Sequence, residues 1–277
     1  MPKLIDVHTH VQFAAYESDY KDVIQRAINK DIWMVNVGTQ RDTSKSAVEL
    51  ANEYQEGVYA AIGLHPIHTT KSHHDLKELG GGETAKEFVS RGEEFDPEYY
   101  LELGKDKKVV AIGECGLDYY RLEEKTKDRQ KEAFLAQIEV SKKLNKPLMI
   151  HCRDAFSDLI DLLTAHRQSL LFIPGVVHFF TGSVYDAKKL MDLGFYFSFG
   201  GVTTFARDYD DQIKTIGINR IVLETDAPYV SPSPFRGKRN ESSYIDNVAS
   251  AIAGVLNISH DEVAEKTTDN ARRVFKI

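Results

Sequence analysis

Short runs of Val, Ile and aromatic residues alternate along this chain with longer charged segments of helical period. Eight runs read as strands: 3–8, 33–38, 58–63, 108–113, 147–151, 175–179, 195–199 and 220–224. They are apolar on successive positions rather than on alternate ones, the pattern of strands buried on both faces in a parallel sheet. Helix-period segments lie between them, clearest at 126–144 and 242–256, and Ser259 with Glu262 forms an S-x-x-E cap for a closing helix to about residue 274. Eight alternations of strand and helix with no break in composition predict one (β/α)8 TIM barrel over residues 1–277, with an extra C-terminal helix. An open doubly wound sheet is the competing arrangement, and no G-x-G-x-x-G or G-x-x-x-x-G-K-[ST] fingerprint accompanies it.

One connection is too long for a loop and helix. Residues 67–107, between the third and fourth strands, include Gly80-Gly81-Gly82 and a predicted helix at 83–91. Because such a connection leaves the carboxyl end of a barrel strand, the excess reads as a lid or rim; a tolerated surface insertion is the alternative.

The strand ends carry the chemistry. Strand one ends in His8-Thr9-His10, whose i and i+2 imidazoles share a face. Others end in Gly63-Leu64-His65-Pro66, Glu114-Cys115-Gly116-Leu117-Asp118, His151-Cys152-Arg153-Asp154, His178-Phe179 and Glu224-Thr225-Asp226. A barrel brings these ends to one mouth. Ionisable groups on apolar strands are costly unless paired or metal-bound, and here they recur at six of the eight ends. Imidazole with carboxylate suits zinc, manganese or iron-type ions better than calcium. Alternation turns Cys115 and Cys152 away from that mouth, so they read as core thiols rather than ligands.

Composition then narrows the class. The 10 histidines sit in a chain with 35 basic and 42 acidic side chains, a net charge of −7 and two cysteines. That balance argues against a protein that holds nucleic acid by overall basic attraction. The N-terminal residues lack a signal-peptide pattern, no apolar stretch is long enough to span a membrane, and the low cysteine count fits a reducing interior; the expectation is a cytoplasmic protein. No heptads predict a coiled-coil assembly, so a monomer is expected.

Taken together, IDVHTH, GLHP, AIGECGLDYYR, KPLMIHCRDA, VVHFFTGS and LETDAPYVSP, followed by RGKRNE, resemble the TatD family of metal-dependent DNases, within the amidohydrolase-like barrels. The resemblance runs from residue 4 to the TTDNARRVF tail. It implies a phosphodiesterase with two divalent metal ions (Zn, Mg or Mn), acting on DNA, in particular single-stranded or frayed ends. By motif position one ion would take His8, His10, Glu114 and Asp226, and the other Glu114, His151 and His178, with Glu114 bridging. His65 would face the substrate phosphate, and Asp226 would orient the attacking water and accept its proton. Substrate contacts are expected from Arg153, which shares a face with His151, and from Arg236, Lys238 and Arg239 in the basic loop. Arg153 pairing with Asp118 is an equal alternative, and Tyr119, Tyr120, Phe179 and Phe180 are candidates for base stacking or for ordinary packing. The chain departs from the family in the longer connection after His65 and in Ser242, where a proline is usual.

The same set of metal ligands would serve other reactions. Removal of a D-amino acid from tRNA is the principal alternative, and RNA is a further candidate substrate. A lactonase or phosphotriesterase of the related type would bridge its metals with a carbamylated lysine, whereas strand four offers Glu114. A non-catalytic interaction protein would have lost ligand positions, and here they are all filled.

Overall fold

A computed structural model describes residues 1–74, 88–120 and 126–277. In chain order its strands are β1 (Leu4–Thr9), β2 (Ile32–Val37), β3 (Val58–Ile62), β4 (Lys71–His74), β5 (Phe88–Arg91), β6 (Val109–Asp118), β7 (Leu148–Arg153), β8 (Gly175–Val177), β9 (Tyr196–Phe199) and β10 (Ile221–Leu223). β4 and β5 pair antiparallel as a separate hairpin, and the other eight close into a parallel barrel in sequence order. Around it run α1 (Tyr20–Ile28), α2 (Arg41–Asn52), α3 (Pro97–Leu103), α4 (Lys127–Leu144), α5 (Phe156–Ala165), α6 (Val184–Asp192), α7 (Asp210–Ile216), α8 (Ile245–Leu256) and α9 (His260–Phe275). This is the predicted TIM barrel, not the open sheet.

Two hydrophobic layers follow from strands that are apolar on both faces. Ile5, Val7, Val35, Val37, Val110, Met149, Val176 and Val222 fill the barrel interior, and a larger cluster packs between strands and helices. The extra helix, α9, sends Val274 and Phe275 into the interior cluster and so plugs the amino-terminal end of the barrel. The Ser259 hydroxyl accepts the Glu262 N–H at 3.1 Å, as its motif predicts. Cys115 and Cys152 are buried free thiols, both in the outer layer.

Most boundaries shift by one or two residues from those read in the sequence, and four of the differences matter most. β6 continues to Asp118 instead of stopping at 113, because pairing with β7 resumes after a register slip between Ile112 and Cys115. Residues 88–91 form β5 rather than the end of a helix, and 83–87 lie outside the described residues. Residues 242–244 make a 3-10 turn before α8 begins at Ile245. β8 ends at Val177, which leaves His178 just beyond the strand.

The described part of the long connection begins on the mouth side. Pro66–Thr69 form a 3-10 turn after His65, and the β4–β5 hairpin follows it directly. His68 bonds Ser90 at 3.0 Å and so fastens that hairpin beside His65.

Candidate metal centre

Backbone hydrogen bonds set the positions before any side chain acts. β1 and the segment after β10 are laced together: Asp226 N–H donates to His8 O at 2.9 Å and His10 N–H to Ala227 O at 2.8 Å. Glu114 N–H donates to Gly38 O at 2.9 Å, His65 N–H to Thr39 O at 2.8 Å and His178 N–H to Ile150 O at 2.8 Å. Gly116 lies opposite His151 with φ +133°, and a Cβ there would stand 2.1 Å from His151 O, so only glycine lets β6 and β7 approach at this point.

The side chains then converge on one carboxylate. Glu114, 4% exposed, presents one oxygen to each of two groups. Its Oε2 lies 3.4 Å from His8 Nε2 and 4.0 Å from His10 Nε2, and Asp226 Oδ1 is 3.5 Å from His10 Nε2. Its Oε1 lies 2.8 Å from His178 Nε2, 3.1 Å from His151 Nδ1 and 3.1 Å from His65 Nε2. All six residues read from the sequence as metal ligands therefore meet, and His65 with them.

The outer nitrogens fix which ring atom is free to coordinate. His10 Nδ1 is 2.7 Å from the Val37 carbonyl, which can only accept, so the neutral ring keeps its proton there and its lone pair on Nε2. His151 Nε2 is 2.9 Å from Asp118 Oδ2. Burial raises the Asp118 pKa, but the hydrogen bond and charge of His151 outweigh it and hold the carboxyl below its ordinary value. His151 accordingly turns Nδ1 to the centre. His65 is reversed: its Nδ1 accepts the Ile67 N–H at 3.2 Å, so the neutral ring carries its proton on Nε2, toward Glu114. Burial keeps the His65 pKa lowered, which favours that neutral form. His65 lies within ligand range of Glu114 and His151, yet its tautomer makes it a donor. His8, His10, His151 and His178 around the carboxylates of Glu114 and Asp226 form a donor set suited to a divalent cation, with His65 beside them as a hydrogen-bond donor.

These contacts also predict how metal binding varies with pH. Burial lowers the pKa of His10, His151 and His178, but adjacent carboxylates outweigh it and leave all three raised above 6.5. Burial and the neighbouring His178 instead push His8 down to about 3. A proton on any of these rings must leave before its lone pair can bind a metal, so affinity should strengthen as pH rises through their pKa values and weaken as it falls. Titration calorimetry in two buffers of different ionisation enthalpy, repeated at several pH values, should therefore show proton release on metal binding that grows as the pH falls. Binding without proton exchange would contradict this assignment.

The residues expected to contact substrate separate into two kinds. Arg153 Cζ stands 3.6 Å from the centre of the Tyr120 ring, while Asp118 is taken by His151 rather than by the arginine. Arg236 and Lys238 are exposed, and Arg236 rests on the Phe205 ring at 3.5 Å. Arg239 is committed to the fold: its guanidinium holds Asp19 at 2.5 Å and 2.9 Å and the Ala15 carbonyl at 2.7 Å. Phe180 is 1% exposed in the core beside Phe156 and Phe197, which removes it from the base-stacking candidates.

Four residues support the site in ways the sequence does not make evident. Asp6 is fully buried and accepts from His8 N–H at 3.2 Å, Thr225 N–H at 3.0 Å and the Thr225 hydroxyl at 2.5 Å, tying β1 to the segment that carries Asp226. Asn240 donates to the Thr225 and Tyr229 carbonyls and shapes the same segment from the other side. Glu224 and Ser198 bond each other behind His178.

Residues 5–276 match the model of the family described as TatD related DNase. The chain belongs to the TatD-related DNase family. Among TatD relatives, the uncharacterized metal-dependent hydrolase YabD of Bacillus subtilis is 39% identical over 277 residues, covering 99% of each chain. The 3′-5′ ssDNA/RNA exonuclease TatD of Yersinia pseudotuberculosis is 31% identical over 278 residues, covering 97% of this chain and 96% of that one. The crystal structure of the TatD homologue YjjV from Escherichia coli superposes with a TM-score of 0.81 at 26% identity, covering 99% and 98% of the two chains. The TatD fold and a metal-dependent hydrolytic centre are thus common ground between this chain and its relatives.

Proposed function

We propose that this chain is a two-metal phosphodiesterase that removes nucleotides from the ends of single-stranded DNA. The observation that carries the reading is Glu114, whose Oε2 faces His8 and His10 and whose Oε1 faces His151 and His178. One ion would be held by His8, His10, Glu114 and Asp226, the other by Glu114, His151 and His178. A set this rich in imidazole suits zinc or manganese. When bound, the ions lower the pKa of water toward neutrality and offset the charge of the phosphate.

The chain's own residues do the remaining work. The Asp226 carboxylate, 18% exposed at the edge of the cluster, faces the open mouth and takes the proton of the attacking water. His65 holds its Nε2 proton where a phosphate oxygen would replace Glu114 as acceptor. Arg153, stiffened by Tyr120, and the exposed Arg236 and Lys238 meet the backbone of the strand. Attraction for phosphate is then local to the mouth, which reconciles a polyanionic substrate with a net charge of −7.

The 3′-to-5′ direction is taken from the name of the Yersinia relative. One metal-loaded preparation should be given 5′-labelled single-stranded DNA, duplex DNA, RNA and D-aminoacyl-tRNA in parallel. The expected result is a ladder shortening from the 3′ end of single-stranded DNA. Intact DNA alongside cleaved aminoacyl ester would overturn this reading in favour of the deacylase.

A further inference from the structure

Behind His178, on the side away from Glu114, lies a second carboxylate that the proposed reaction does not use. Glu224 follows β10 and points into the barrel from beneath the mouth, where it and Ser198 on β9 are 0% exposed. The Ser198 oxygen accepts the Phe179 N–H at 3.3 Å, which leaves its own proton for Glu224 Oε2 at 2.5 Å. That same Oε2 faces His178 Nδ1 at 3.6 Å. His178 Nδ1 and Glu224 Oε1 are buried and have no hydrogen-bond partner among the described residues. Among the described residues, His178 is the one basic side chain within 4.0 Å of the Glu224 carboxylate. A buried carboxylate is costly without a partner, and a buried imidazole must place its single neutral proton on one nitrogen or the other.

We propose that Glu224 is a positioning residue that accepts the Nδ1–H of His178, fixes that tautomer and so turns the Nε2 lone pair to the metal centre. Ser198 holds the carboxylate in place, and its bond from Phe179 ties the pair to the turn that carries His178. The Nδ1 and Oε2 atoms close from 3.6 Å into a hydrogen bond once Nε2 is engaged by a cation. Val37 O behind His10 and Asp118 behind His151 already serve in this way, so Glu224 completes the pattern for His178. The inference rests on the reading of His178 as a metal ligand.

The test is calorimetric titration of metal-stripped protein with Mn2+, with the melting temperature of each stripped variant measured beside it. Glu224→Ala should weaken one of the two binding steps by about 10- to 100-fold. Glu224→Gln keeps an acceptor oxygen and should recover most of that affinity. Ser198→Ala should cost roughly fivefold. Wild-type affinity in folded Glu224→Ala would overturn the proposal, as would a Glu224→Gln variant as weak as the alanine. Should Glu224→Ala fail to fold, Ser198→Ala decides: weakened binding at an unchanged melting temperature supports the relay, and unchanged binding overturns it. A wild-type chain that binds no Mn2+ would instead sink the metal assignment itself, a failure distinct from that of Glu224 alone.

Discussion

Glu114→Gln should lower metal-dependent turnover by at least about a thousandfold, since metal stabilisation of the transition state supplies several kcal/mol and each 1.36 kcal/mol is tenfold. The substitution preserves shape but removes the charge, and it turns an amide NH2 toward one of the two imidazole clusters. Either His8 and His10 or His151 and His178 would then face a donor in place of an acceptor. Both binding steps should weaken, because no other carboxylate reaches both clusters among the described residues. Steady-state hydrolysis of labelled single-stranded DNA, with calorimetric metal titration of the same protein, checks this. Turnover within tenfold of wild type would remove Glu114 from the centre of the mechanism.

Asp226→Asn has the second large effect, of a different kind. The residue sits at φ +53°, held by the bond from its own N–H to His8 O, and an asparagine tolerates that left-handed backbone well. The fold should therefore survive while the proton acceptor is lost. Turnover should fall by about 10²–10⁴, the range expected for loss of a positioned base. The cluster of Glu114 Oε1, His151 and His178 is untouched, so one metal-binding step should persist. Retention of near-wild-type turnover would assign the proton to another group, and loss of both binding steps would contradict the division into two clusters.

Much of this centre was legible before any coordinates. His8, His10, His65, Glu114, His151, His178 and Asp226 stand at the ends of strands too apolar to carry them idly, and a barrel has only one mouth for such ends. What strand periodicity could not provide was the facing of side chains next to register slips. By alternation Asp6 belongs on the face of His8, yet β1 slips against β2 between Asp6 and Thr9. Asp6 therefore turns out to Thr225 while His8 turns inward. β6 breaks in the same way between Ile112 and Cys115, and this places Glu114 inside the cluster. Arg239 read as a substrate contact because its partner, Asp19, lies 220 residues away and leaves no local signal. The donor role of His65 and the support from Glu224 depend on which nitrogen meets which neighbour, and sequence spacing does not encode that.

The most direct test of the central claim is a metal titration of stripped wild-type protein, read by release of nucleotides from single-stranded DNA. Hydrolysis should be absent in chelator, rise as metal is added and level off at two equivalents per chain. Hydrolysis that continues in chelator, or a chain that fills with metal and leaves the DNA intact, would contradict the assignment of the mouth as a two-metal nuclease centre.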